Sequence, residues 1–208
     1  AAAMLLYSGT GPAVMPAAAA GESGGIYISH IRDEAAGILD SVKETIRIGE
    51  EGRLPAQITH HKIIGTRNWG KSEETLRLVE EARSRGVDVT IDQYPYTASF
   101  TGTAALFPQW ALAGGRKQFL ARLEDPAARA RIVAEIVERI RFDRGGGDPK
   151  NVVMAYCPDQ PELVAKDLGQ ITRERGREST PENAAETAIE IQRKGGCSAV
   201  FHAIDEGD

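Results

Sequence analysis

Between Gly24 and Ile91 short β-branched runs alternate with amphipathic stretches. Gly25 to Ser29 (Gly-Ile-Tyr-Ile-Ser) follows a glycine and reads as a buried strand. From Ala35 to Glu50, Ile38, Leu39, Val42 and Ile46 recur at helical spacing, and Gly49 and Gly52 mark the stop. Pro55 to Thr59 is a second strand. Ser72 is the expected N-cap of a helix through Arg85, with Leu76, Leu78 and Val79 inward and Gly86 as its end. Val87 to Ile91 is a third strand. Strand and helix alternate with a period of about thirty residues, the length of a βαβ unit, which predicts a parallel sheet.

The rest of the chain is different in kind. Helical periodicity recurs over Arg129 to Ile140, Glu162 to Arg175 and Pro181 to Lys194, where Pro181 suits a first helical turn. Ala1 to Gly21 is alanine-rich and broken by Ser8-Gly-Thr-Gly-Pro12. Its Ala17–Ala20 run faintly suggests a leader cleavage site, but no basic segment precedes it. Residues 1–23 are therefore read as an irregular or non-native segment.

Polar clusters sit where each predicted strand stops. The first runs into Ser29-His-Ile-Arg-Asp-Glu34, the second into Thr59-His-His-Lys62, the third into Asp92-Gln-Tyr-Pro-Tyr96. Parallel strands of an α/β barrel end on one face, and that face carries the site. His30 and His60 hold equivalent places one repeat apart, so their imidazoles would converge as neutral nitrogen donors suited to zinc. A histidine at a strand end is more commonly a surface or hydrogen-bonded residue; it is the register of the pair that favours ligands. His61 is expected on the opposite side of its strand, packing or supporting, because side chains alternate. Lys62 then returns to the side of His60, as a substrate contact or a solvated cation. Tyr94 and Tyr96 flank a proline, where one is free to be rim packing. Arg32, Asp33 and Glu34 read equally as a charged loop capping the next helix. His202 stands alone and reads as structural.

Composition narrows the field little. A formal charge of −5, with scattered lysines and arginines, gives no reason to expect nucleic acid. No apolar run reaches the roughly 20 residues of a membrane helix. Cys157 and Cys197 make no disulfide framework, and a reducing cytoplasm suits two thiols.

The stretches Tyr27–Glu34, Ile58–Lys62 and Asp92–Tyr96, with Asn68-Trp-Gly70 between them, resemble the D-aminoacylase (N-acyl-D-amino-acid deacylase) family of the amidohydrolase superfamily. The likeness is continuous from about Gly24 to Thr101 and looser beyond. It implies an α/β fold, a partial (β/α)8 TIM-like barrel holding about strands five to seven. By that likeness 24–101 is barrel, 102–195 a helical insertion, and 196–208 a return strand. It implies zinc as cofactor, His30 and His60 as metal ligands, and Lys62 and Tyr94 as contacts to the substrate carboxylate. Thr101 falls near an assisting hydroxyl. The implied reaction is hydrolysis of a small-molecule N-acyl-D-amino acid to a carboxylate and a D-amino acid.

The departures are large. The family's opening His-x-His is absent, its cysteine ligand lies upstream of both histidines, and Cys157 and Cys197 lie downstream. Its catalytic aspartate, in a Ser-Asp-Gly setting, has no match, since Asp205 and Asp208 stand in another pattern. No catalytic residue is therefore assigned. A cyclic-amide hydrolase of the hydantoinase or dihydroorotase kind, and a catalytically inactive remnant, remain the alternatives.

Overall fold

The computed structural model describes residues 4–6 and 14–208, which form two compact units of a mixed α/β fold. The first unit takes in residues up to 63, 68–95 and 205–208; the second takes in 64–67 and 96–204.

The first unit is built on a four-stranded parallel sheet, β1 (Met4–Leu6), β2 (Ile26–Ser29), β3 (Ala56–Ile58) and β4 (Val89–Ile91), in sequence order. Helices α1 (Val14–Glu22), α2 (Ile38–Gly52) and α3 (Ser72–Ser84) make the crossovers that parallel pairing demands. Ser29 pairs with Ile58 and Ile58 with Ile91, so the C-terminal ends of β2, β3 and β4 are level. Ile38, Val42 and Ile46 of α2 and Val79 and Ala82 of α3 pack on Ile58 and Val89. Ala17 of α1 joins Tyr27, Ile48, Leu54 and Ala56 in a second cluster.

Three expectations are corrected here. Residues 1–23 are not wholly irregular, because β1 pairs with β2 and α1 connects the two; the alanine-rich α1 gave no hydrophobic contrast by which to read it, and Met-Leu-Leu is too short a run to mark a strand alone. Leu76 is not inward but 47% exposed, since α3 buries only the stripe through Thr75, Val79 and Ala82. Ser72 is the first helical residue rather than the cap. The cap role is filled from far along the chain: Asp208 accepts hydrogen bonds from the amides of Gly70 (2.8 Å) and Ser72 (3.1 Å).

The second unit carries an antiparallel sheet, β5 (Ser99–Gly102), β6 (Val152–Tyr156) and β7 (Ser198–Phe201), in the order β5-β7-β6. Four α-helices longer than one turn pack with it: α4 (Gly115–Glu124), α5 (Pro126–Phe142), α6 (Leu168–Glu174) and α7 (Pro181–Arg193). Ile132, Ile136 and Ile140 of α5 and Ala185, Ala188 and Ile189 of α7 meet Met154, Ala199 and Phe201 in one core. Pro181 does occupy the first turn of α7, behind a Thr180 cap that accepts from Asn183 N. The segment expected to be all helix also supplies β6. The helix expected from Glu162 begins only at Leu168, where Asp167 caps it through Gln170 N at 2.7 Å.

Cys157, directly after β6, and Cys197, directly before β7, are disulfide-bonded. The expectation of two separate thiols is thus corrected: the pairing of β6 with β7 brings their Cα atoms to 4.4 Å. No helix among the described residues is long and apolar enough to cross a membrane.

Candidate metal centre

His30 follows the last residue of β2, His60 lies two past β3, and Asp92 follows the last residue of β4. Level strand ends therefore bring three polar loops of the first unit together. His30 Nδ1 and His60 Nε2 approach more closely than an ordinary hydrogen bond, with ring centroids 4.4 Å apart. The two imidazoles converge, but they are not in register as expected: Ser29 pairs with Ile58, so His60 lies one residue beyond the level of His30.

Strand alternation does not produce that convergence. His60 takes φ 43°, a left-handed conformation rare for a side chain with a Cβ, so the backbone turns sharply just past β3. Asp92 holds the turn. Its Oδ1 accepts from His60 N at 2.6 Å, and its Oδ2 accepts from Thr59 Oγ1 at 3.2 Å and from the Gln57 amide. Burial raises the Asp92 pKa, but these hydrogen bonds outweigh it and hold the carboxyl below its ordinary value.

The same turn folds Lys62 back onto His60. Its Nζ lies 3.0 Å from His60 O and 2.7 Å from His60 Nδ1, and it donates to Glu34 Oε1. Glu34 Oε1 is also 3.0 Å from His60 Nδ1. Lys62 is only 6% exposed, so its charge is taken out of water against a carboxylate, as a buried cation requires. Its ammonium lies 5.7 Å from the centroid of the Tyr94 ring. Lys62 and Tyr94 are thus near neighbours, with Lys62 engaging Glu34 and His60.

His61 is 4% exposed, and its Nε2 has no hydrogen-bond partner among the described residues. Burial, reinforced by the Lys62 charge and opposed by Asp208 and Glu34, lowers its pKa. That agrees with a packed, neutral imidazole. Arg32 forms a bidentate pair with Glu44 on α2, and Asp33 accepts from Ala35 N, so those two serve the loop locally. Glu34 does not. Sequence reasoning left it in the loop, and Asp92 without a role, because their partners lie 28 and 32 residues away. Thr101 lies in β5, paired with Ala199, in the second unit. His202 is there too, its amide donating to Asn151 O.

Imidazole suits a borderline metal, but two nitrogens on one tetrahedral zinc stand about 3.3 Å apart, so these two rings must part to admit one. Among the described residues no group of three or more His, Cys, Asp or Glu could hold a metal, so His30 and His60 would be two of the three protein ligands a catalytic zinc usually has.

Known proteins decide the kinship. The D-aminoacylase of Alcaligenes xylosoxydans xylosoxydans is 32% identical over 185 residues, which cover 89% of this chain and 28% of that protein. Its N-acyl-D-glutamate deacylase is 31% identical over 150 residues, 72% of this chain and 29% of the relative. The chain is a homologue of the D-aminoacylases. It spans less than a third of the length of these relatives. Among solved structures, N-acyl-D-glutamate deacylase from Bordetella bronchiseptica, complexed with zinc and a phosphonate inhibitor, superposes with a TM-score of 0.63 at 26% identity. The likeness covers 92% of this chain and 31% of that one. A D-aminoacylase structure matches with a TM-score of 0.62 at 28% identity, over 89% of this chain and 29% of its own. No family model matches the sequence.

Proposed function

We propose that this D-aminoacylase homologue is part of a zinc-dependent amidohydrolase that cleaves N-acyl-D-amino acids to a carboxylate and a D-amino acid. The observation that carries the reading is the convergence of His30 and His60 nitrogens at level strand ends, within a sequence whose relatives are D-amino-acid deacylases. In this reading β2, β3 and β4 are the fifth to seventh strands of a (β/α)8 barrel, whose strand ends carry the site.

His30 and His60 would hold the metal, which would supply Lewis acidity at the amide carbonyl. Lys62 and Tyr94 bind the substrate carboxylate, one as a cation and the other as a phenol donor. Since Lys62 is already paired with Glu34, an incoming carboxylate replaces Glu34 as its counter-ion. A cyclic-amide hydrolase is the less supported reading, since Lys62 stands on the wrong strand to be a metal-bridging carboxylated lysine and the relatives are deacylases of N-acyl-D-amino acids. A metal-free remnant that only binds ligand is the second reading, favoured by the lack of a third ligand among the described residues.

The test is zinc binding and turnover in the longest polypeptide containing this sequence. Replacement of His60 by alanine is expected to remove zinc and at least about 100-fold of kcat/KM, several kcal/mol of transition-state stabilisation. Lys62→Ala is expected to raise KM and leave zinc in place. Zinc lost from Lys62→Ala but kept by His60→Ala would reverse the two roles.

A further inference from the structure

Two stretches of the second unit concentrate positive charge, Arg173-Glu-Arg-Gly-Arg177 at the end of α6 and Arg193-Lys194 at the end of α7. The two helices pack together, and Arg175, Arg177, Arg193 and Lys194 line one open cleft of about 670 Å³. Glu190 of α7 is the carboxylate among its lining residues. Both of its oxygens are occupied: Arg175 Nη1 donates to Oε2 at 2.8 Å, and Arg177 Nη2 donates to Oε1. The neighbouring carboxylates serve elsewhere, Glu174 with Lys166 and Gln170, and Glu186 with Arg129. Arg193 makes only a long approach, 3.9 Å, to the exposed Glu124. Cations often gather at helix C-termini to meet the last carbonyls. Here backbone amides do that: Arg175 N and Arg177 N donate to Thr172 O, and Lys194 N and Gly196 N to Ile191 O. Each helix end carries at most about half a negative charge, so about two positive charges in the cleft stay uncompensated. Arg177 Nη1 is also buried with no hydrogen-bond partner among the described residues, a state that an ion at the guanidinium relieves.

We propose that this cleft binds the phosphate or pyrophosphate group of a small soluble ligand. Glu190 holds two guanidiniums side by side, with side chains 23% and 33% exposed, so both forks are ordered before an anion arrives and little entropy is lost on binding. A guanidinium fork matches phosphate oxygens two at a time, and Lys194 adds a point charge. The surplus of charge selects a dianion: a single carboxylate would leave part of it unmet. The cations are grouped in one cleft rather than strung along a face, which suits a compact ligand better than a polymer. All five lining residues belong to the second unit, and neither His30 nor His60 enters the site.

The experiment titrates pyrophosphate into 15N-labelled residues 1–208 at constant ionic strength, with the arginine Nε–Hε resonances and calorimetry as readouts. Saturable shifts at Arg175 and Arg177 are expected. The double substitution Arg193→Ala with Lys194→Ala should weaken binding by about 10-fold or more, the loss of charge-assisted contacts, while circular dichroism and the unfolding temperature in chloride stay unchanged. Lys194→Gln alone should weaken it by less, and it stands in if the double variant does not fold. Shifts that never saturate, or that chloride at equal ionic strength reproduces, would overturn the site, as would an affinity indifferent to these substitutions. Phosphatidylglycerol vesicles or a DNA duplex that shift Arg175 and Arg177 where pyrophosphate does not would overturn the soluble ligand in favour of a charged surface.

Discussion

His60 is the residue on which the site turns, and its backbone is the strained part. A positive φ at a residue with a side chain costs about 1 kcal/mol and persists only where neighbours hold it. Asp92 does so by accepting the His60 amide, the Thr59 hydroxyl and the Gln57 amide. Asp92→Asn leaves a group that accepts at one atom and must offer donors at the other, so the turn loses part of its clamp. The expected loss is about 1 kcal/mol, at the low end for hydrogen bonds to a charged acceptor because the carboxylate faces solvent. Calorimetry of the two chains measures it. The pH dependence follows from the direction of the shift. A folded-state pKa held below the unfolded value of about 3.9 makes the contribution complete above that pH. It fades as pH falls through the lowered folded pKa, so the two chains should converge in stability in strong acid. A gap that persists or widens there would mean that Asp92 acts otherwise than as an ionised acceptor. The repeat marked His30 and His60, and the family resemblance marked Lys62 and Tyr94. Both were silent on Asp92 and Glu34, whose value lies in what they touch about thirty residues away.

At the scale of elements, legibility tracks hydrophobic contrast. β2, β3 and β4 were readable from β-branched runs bounded by glycine or proline, and α2 from its isoleucine and valine stripe. α1 was not, since an alanine-rich helix has no apolar face distinct from a polar one, and β1 is a three-residue run too short to read by period. The Asp208 cap of α3 escaped because it acts across 136 residues of sequence. The β6–β7 pairing escaped for a similar reason, and with it the disulfide that laces these strands. Cys157 and Cys197 are 40 residues apart and both buried. Closing a loop of that length restricts the unfolded chain by about 2–4 kcal/mol. Dithiothreitol, or Cys197→Ser, is therefore expected to lower the unfolding temperature of the second unit. Hydrogen exchange at Val152–Tyr156 and Ser198–Phe201 localises the effect, and protection there unchanged by reduction would show that the strands hold without the bond.

At the scale of the whole molecule, the ligand count decides what residues 1–208 can do unaided. Zinc hydrolases hold their metal with three protein ligands and a water, and here two imidazoles converge among the described residues. Loss of one ligand weakens the metal. A second deficit is kinetic. Amide hydrolysis needs a positioned base to take the proton of the attacking water and pass it to the leaving amine. Near the two histidines the carboxylates are Glu34, committed to Lys62, and Asp92, committed to the His60 turn. Neither is free to move a proton. The expectation is that purified residues 1–208 bind zinc weakly through His30 and His60 and do not hydrolyse N-acetyl-D-methionine or N-acetyl-D-glutamate, even with zinc in excess. Release of the free D-amino acid, followed with a D-amino-acid oxidase, is the measurement. Zinc-dependent turnover that disappears on His60→Ala would show that one of these two carboxylates doubles as the base. Glu34→Gln and Asp92→Asn would then identify which, since the true base would lose kcat with little change in KM.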